Sequence, residues 1–129
     1  EHFTKAIANG DLRLSKSSWA SPITVCPKSG PDKWLICGDY KSLNSVTRPD
    51  RYPVPNILDF NCQLHGATVF STLDIKRAYN QIPVAQSDIE KTAIITPFGL
   101  FEWTVMPFGL QNAGQTFQRF MDNIFQYFS

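Results

Sequence analysis

An α+β fold with a mainly antiparallel sheet packed on helices is what this sequence predicts, and three observations predict it. Short helical stretches are interspersed with paired β-rich runs joined by turn residues, rather than alternating one helix to one strand. The run from Thr92 to Val105 reads as a hairpin, β-branched and aromatic on both sides of Phe98-Gly99. From Asn112 onward Phe117, Phe120, Met121, Ile124, Phe125 and Phe128 recur at i, i+3, i+4, i+7, i+8 and i+11, one continuous apolar stripe on a helix that reads as core-facing.

Taken in order, Phe3–Asn9 has helical composition and Gly10 supplies a stop. Residues 12–21 show no clear period. Ser21-Pro22 opens a strand, Ile23–Cys26, and the turn cluster Pro27–Asp32 leads to a second strand at Lys33–Cys37, so this is a hairpin with Lys28 and Lys33 near its tip. Lysines so placed can clamp a phosphate backbone or simply solubilise the tip. Gly38–Asn44 reads as a turn leading into extended chain. Pro49, Pro53 and Pro55 exclude an ordinary helix over 47–55. Pro55 suits the first position of a helix over 56–64, with Ile57, Phe60 and Leu64 at helical spacing and Gly66 as its end.

Thr68–Ile75 then reads as a central strand whose period of two sets Val69, Leu73 and Ile75 against Asp74 on the wetter face. A carboxylate at a strand end can hold a metal ion; it can equally cap the turn at Lys76–Tyr79. Asn80–Val84 is read as a strand, Ser87-Asp88-Ile89-Glu90 fits a capping box opening a short helix, and Met106–Leu110 is a loop.

At 129 residues, 43% hydrophobic and 13% aromatic, the chain suits one domain with a core rather than a disordered tail. No apolar run reaches the ~18 residues of a membrane span, and the start Glu1-His2-Phe3-Thr4-Lys5 has no secretory-signal pattern, so an intracellular protein, or an internal piece of a longer one, is expected. Cys26, Cys37 and Cys62 are odd in number without metal-ligand spacing and read as small buried hydrophobes. A net charge of +1 makes no general case for nucleic acid, although residues 1–51 hold eight Lys/Arg against five Asp/Glu and the remainder four against six. No Walker glycine loop, His-Glu-x-x-His or nucleophile elbow occurs, and His2 and His65 stand isolated with no role assigned.

Six strings occur in order: Ser18-Trp19-Ala20-Ser21-Pro22; Trp34 to Leu43 with Gly38-Asp39-Tyr40; Asp50-Arg51-Tyr52-Pro53-Val54-Pro55; Phe70 to Val84; Lys91-Thr92-Ala93; and Met106 to Ala113 running into Gln115-Thr116-Phe117-Gln118. Together they resemble the reverse transcriptase of gypsy-type long-terminal-repeat retrotransposons, carried within a Gag-Pol polyprotein, over nearly the whole chain. The resemblance implies an incomplete polymerase palm with part of the fingers, residues 1 to about 52 being fingers-like and about 53 to 129 mostly palm. It implies RNA-directed DNA polymerase activity in the full-length parent, with template-primer and deoxynucleotide triphosphates as partners, no membrane, and a cytoplasmic retrotransposon particle as the setting.

It also assigns residues. Asp74, with the backbone carbonyl of Ile75, matches the position that binds the two Mg²⁺ ions of nucleotidyl transfer; hard oxygen ligands suit that ion. Tyr79 falls where the family places an aromatic gate under the sugar, with a core tyrosine as the competing reading. Phe108 aligns with a nucleotide-contacting residue and Lys28 with a lysine near the triphosphate. Two departures stand out. Where relatives have Trp-Arg, Trp34 is followed by Leu35, which cannot grip a phosphate in bidentate fashion. The family's second carboxylate pair, an Asp-Asp in a Tyr-x-Asp-Asp hairpin, is not found, because no two aspartates are adjacent. The chain alone is therefore expected to be inactive, and a non-enzymatic remnant or nucleic-acid-binding module is the alternative reading.

Overall fold

A computed structural model describes residues 2–28, 30 and 34–127. Helix α1 (His2–Ala8) leads into β1 (Leu12–Leu14), followed by β2 (Ser21–Pro27) and β3 (Trp34–Gly38). Then come α2 (Lys41–Ser45), α3 (Ile57–Gln63), β4 (Ile94–Thr96), β5 (Gly99–Trp103) and α4 (Ala113–Phe125). The five strands form one sheet in the order β1-β5-β4-β2-β3. Three of its four pairings are antiparallel; β2 and β4 run parallel, with Ser21 opposite Ile94 and Pro22 opposite Ile95. This is the mainly antiparallel α+β architecture expected, with both hairpins present.

The core gathers at the middle of that sheet. Leu12, Tyr40, Ile94 and Trp103 are buried together with Ala6, so α1, the end of the first hairpin and the second hairpin share one apolar centre. Tyr40 is 2% exposed and its hydroxyl donates to the Thr92 carbonyl at 2.8 Å. That bond satisfies a buried phenol whose ionisation burial strongly disfavours. Gly38 precedes it because a Cβ there would lie 2.6 Å from the Tyr40 ring and 2.9 Å from Ile94 Cγ2.

Several local readings are corrected. Residues 12–14, read without period, pair as β1 with β5. The stretch 38–44 is not a turn into extended chain: the Asp39 carboxylate accepts from Lys41 N–H at 3.2 Å and the chain closes into α2. Pro55 is not the first residue of α3. Asn56 is the cap, accepting from Leu58 N–H, while Asp59 accepts from Asn56 N–H in a capping box. Residues 87–90 open only a 3-10 turn over Ile89–Thr92, with Asp88 ion-paired to Lys91 at 2.6 Å instead of capping.

Thr68–Ile75 forms no ladder. The edges of the sheet are β1 and β3, no described strand lies beside this segment, and Val69 (85% exposed) and Leu73 (79% exposed) face solvent instead of packing on helices. Residues 80–84 are a 3-10 turn over Tyr79–Gln81 followed by a single bridge between Pro83 and Val105, since proline has no N–H with which to extend a ladder. The stripe of α4 is only partly covered: Phe117, Phe120, Met121 and Ile124 are half-buried and Phe125 is exposed, while Phe128 lies outside the described residues. Ile57, Phe60 and Leu64 on α3 are exposed. Cys26 and Cys62 are exposed and Cys37 only half-buried, so none is a buried hydrophobe. Among the described residues no helix is long and apolar enough to cross a membrane.

Candidate functional site

The residues singled out in the sequence fall into one connected group and one outlier. Asp74 and Ile75 end an extended segment, and the chain then turns through Lys76–Ala78 into the 3-10 turn at Tyr79. Arg77 takes a left-handed backbone (φ 53°), uncommon for a side-chain-bearing residue, and its guanidinium reaches Asp11 at 3.5 Å. The Gln81 amide donates to the Lys76 carbonyl at 2.7 Å and closes the turn. Asp74 is exposed and its carboxylate makes no hydrogen bond or ion pair with a described residue. Ile75 is half-buried.

Beyond the turn, the Met106 N–H donates to the Ile82 carbonyl (2.8 Å) and the Val84 N–H to the Thr104 carbonyl (2.9 Å), which staples residues 82–84 to the chain leaving β5. That staple sets the loop 106–112 beside the 3-10 turn. The Tyr79 and Phe108 rings come to 5.2 Å between centroids at 52°, and Tyr79 meets Phe117 of α4 at 5.6 Å and 68°. Tilted and edge-on pairs of this kind are favourable aromatic geometries. Tyr79 is thus both half-buried beside packed rings and five residues past Asp74. Lys28 is exposed just past the end of β2 and makes no hydrogen bond, ion pair or ring contact with Asp74, Tyr79 or Phe108; Lys33, its companion at the tip, lies outside the described residues.

Sequence reasoning passed over the residues that hold this arrangement. Asn44 in α2 donates from its amide to the Gly109 carbonyl and accepts from the Gln111 N–H, both at 2.9 Å. Asn112 repeats the device, donating to the Arg48 carbonyl at 2.8 Å and accepting from the Asp50 N–H at 2.9 Å. The connector it grips is tied to α4 a second time. The Tyr52 hydroxyl donates to Asp122 at 2.6 Å, and Arg119 lies 4.5 Å over the Tyr52 ring while pairing with Asp50 at 2.8 Å.

These bonds set the local ionisation. The Tyr52 backbone N–H, followed by Arg119, holds the Asp50 carboxyl below its usual range. The Tyr52 hydroxyl and then the Gln118 amide do the same for Asp122, and donating to Asp122 pushes the Tyr52 phenol up. No spacing rule reveals such pairs; Asn44 and Asn112 read as ordinary turn polars until the loop is folded.

An open groove of about 540 Å³ also borders this loop, walled by Leu43, Val46, Val84, Met106 and Leu110. It does not include Asp74, Tyr79 or Phe108. As a metal ligand set, Asp74 and the Ile75 carbonyl offer the hard oxygens a divalent cation takes, but one carboxylate is part of a site only, and no group of three or more His, Cys, Asp or Glu among the described residues could complete one.

Comparison with known proteins agrees with this fold. The chain is 43% identical over 119 residues to the retrovirus-related Pol polyprotein from transposon 297 of Drosophila melanogaster, a match covering 89% of this chain and 11% of that protein. It is 40% identical over 124 residues to the corresponding polyprotein of transposon gypsy from the same organism, covering 92% and 12%. The transposon Tf2-3 polyprotein of Schizosaccharomyces pombe is 36% identical over 124 residues, covering 96% and 9%. The chain therefore spans about a tenth of the length of these curated relatives.

Among solved structures, the foamy viral protease-reverse transcriptase in complex with RNA/DNA hybrid superposes with a TM-score of 0.81 at 20% identity, covering 97% of this chain and 17% of that one. A second structure, the foamy viral protease-reverse transcriptase dRH in complex with ds DNA, gives a TM-score of 0.77 at 20% identity, covering 94% of this chain and 21% of that one. At that identity the likeness speaks for the fold. Residues 26–129, most of the chain, match the family described as reverse transcriptase (RNA-dependent DNA polymerase), and the chain belongs to that family.

Proposed function

We propose that this chain is the fingers-to-palm portion of an RNA-directed DNA polymerase within a retrotransposon Pol polyprotein, with residues up to about 52 on the fingers side and the rest mostly palm. The observation that carries the reading is that Asp74, exposed and without a hydrogen bond or ion pair to any described residue, stands at the head of the turn that delivers Tyr79 against Phe108, inside the stretch matched to the family.

Asp74 and the Ile75 carbonyl would hold Mg²⁺ together with carboxylates from elsewhere in the parent. Bound there, the metal would supply charge neutralisation at the attacking and leaving oxygens of nucleotidyl transfer. The chain's own residues do the positioning. The Tyr79 ring lies under the sugar of the incoming nucleotide, where a 2′-hydroxyl would collide with it, and Phe108 closes the other side of the same surface. Lys28 reaches toward the triphosphate from the first hairpin. Leu35, half-buried in β3, adds no phosphate contact. Template-primer and deoxynucleotide triphosphates are the partners of the parent, and a cytoplasmic particle is its setting.

Asp74→Asn in the parent polymerase, assayed on poly(A) with an oligo(dT) primer, tests this: incorporation should be abolished, and equal incorporation by both proteins refutes the assignment. Leu35 favours a second reading, a remnant that binds nucleic acid without polymerising. An intact Tyr-x-Asp-Asp in frame past residue 129 supports the enzyme, and an early stop supports the remnant.

A further inference from the structure

We propose that Asn44 is a positioning residue for nucleotide selection, holding the loop that presents Phe108 to Tyr79; this rests on the polymerase reading above. Its amide spans Leu110 as a neighbouring strand would, bonding the carbonyl of residue 109 and the N–H of residue 111, each at 2.9 Å. Leu110, between them, packs against the buried core. Gly109 adopts φ 93°, open only to glycine at low cost, and a Cβ there would stand 3.3 Å from the Gly38 carbonyl and 3.5 Å from the Tyr40 ring. At Gly109 the loop therefore lies close against the end of β3 and the Tyr40 ring, and the Asn44 side chain hydrogen-bonds it there.

The anchor behind Asn44 is rigid. Asn44 N–H donates to the Tyr40 carbonyl at 2.7 Å, and Tyr40 is itself buried with its hydroxyl fixed on Thr92. A continuous path thus runs from the buried Tyr40 through α2 and the Asn44 amide to Gly109, and from there to Phe108 and its ring contact with Tyr79 at 5.2 Å. The Asn44 side chain bonds the loop backbone and makes no hydrogen bond to Tyr79 or Phe108. It acts by fixing where Phe108 sits relative to the surface on which the sugar would rest, and a shift of about 1 Å in such a surface is enough to change selection.

The test uses the polymerase polypeptide that contains this chain, with four variants. Asn44→Ala removes both bonds. Asn44→Asp keeps the acceptor for Gln111 N–H and sets an oxygen against the Gly109 carbonyl. Ser45→Ala removes only a bond internal to α2, from the Ser45 hydroxyl to the Ser42 carbonyl at 2.7 Å, and serves as the structural control. Asp74→Asn reports on the polymerase reading itself.

The expected result for Asn44→Ala is a roughly tenfold rise in KM for the deoxynucleotide, about 1.4 kcal/mol, with kcat nearly unchanged and weaker discrimination against ribonucleotides. Asn44→Asp, which replaces the donor to the Gly109 carbonyl by a repelling oxygen, should raise KM at least as much, and Ser45→Ala should match the parent. In the 129-residue chain, the nuclear Overhauser contacts between the Tyr79 and Phe108 rings should weaken in Asn44→Ala and persist in Ser45→Ala. If Asn44→Ala fails to fold, Asn44→Asp decides. Unchanged KM and discrimination in the folded Asn44 variants overturn the inference, as do equal losses in Asn44→Ala and Ser45→Ala. Persistent activity in Asp74→Asn overturns the polymerase reading separately.

Discussion

Gly38→Ala is the sharpest test of the packing that supports the site. The added methyl would meet Tyr40 Cζ at 2.6 Å, Tyr40 Cε2 at 2.7 Å and Ile94 Cγ2 at 2.9 Å, where carbon atoms prefer about 3.5–4.0 Å. Neither neighbour can retreat freely. Tyr40 and Ile94 are 2% and 1% exposed, and the Tyr40 hydroxyl is fixed on the Thr92 carbonyl at 2.8 Å. Overpacking of this kind costs about 1–3 kcal/mol, and a ring held at both ends places this site near 3. For a chain of this size that is a fall in Tm of roughly 10–15 °C.

Two other glycines serve as controls in the same thermal and urea unfolding experiments, followed by circular dichroism. Gly114 lies inside α4 with nothing within 4 Å of a new Cβ, so Gly114→Ala should gain up to about 1 kcal/mol from helix propensity. Gly10 is equally open but has φ 78°, so Gly10→Ala should lose about 1–2 kcal/mol to backbone strain alone. A Gly38→Ala protein within about 0.5 kcal/mol of the parent, or no less stable than Gly114→Ala, would refute the packing described for Tyr40.

The ties between the connector and α4 carry a pH signature. Asp50 and Asp122 are both held below the usual carboxyl value by hydrogen bonds made only in the folded chain, so the folded form binds fewer protons than the unfolded one near pH 4. Their contribution is complete above the unfolded value of about 3.9 and is lost as pH falls through the folded values. Asp122→Asn should therefore flatten the acid limb of a urea-midpoint profile, and a limb identical to the parent's would count against these bonds.

The opposite edge belongs to Tyr52, whose raised phenol keeps its contribution below about pH 10 and loses it as pH rises through the folded value. Tyr52→Phe should remove that alkaline dependence in the same measurement. For the isolated chain, Mg²⁺ titration followed by calorimetry should give no saturable high-affinity site; a tight one would contradict the single-carboxylate count. In the parent polymerase, Leu35→Arg should lower the KM for deoxynucleotide several-fold if β3 faces the triphosphate, and an unchanged KM would remove Leu35 as a determinant of affinity.

Much of the architecture was legible because it is written in local chemistry. The period of α4, the turn residues of both hairpins and Gly10 after α1 each specify their element without reference to distant chain. The segment 68–75 shows where that stops. Its β-branched alternation is a real preference, but a strand is completed by a neighbour, and no described strand offers one. Exposure of Val69, Leu73 and the apolar face of α3 has the same cause: hydrophobic spacing says which residues would be covered, not whether a cover is present.

The site divides along the same line. Tyr79 and Phe108 were singled out separately, by resemblance to a family, and the fold places their rings together. Asn44, Asn112 and the Tyr52–Asp122 bond were invisible because each joins positions more than sixty residues apart. Their side chains carry no periodic signal. The cysteines misled for a related reason, since a tendency to be buried says nothing about which strand and helix positions the fold leaves uncovered.

The strand order has a temporal consequence. β1 pairs with β5, Leu12 opposite Trp103, so its partner is synthesised about ninety residues later. At roughly 5–20 residues per second of translation, β1 waits on the order of five to twenty seconds beside the ribosome before its edge can close. The first hairpin, β2 with β3, is complete long before that, and its parallel seam to β4 must also wait. Assembly of this sheet is thus governed by its latest-arriving hairpin, and nascent chains halted short of Trp103 should present two disconnected pieces to chaperones and proteases instead of a shortened version of the fold.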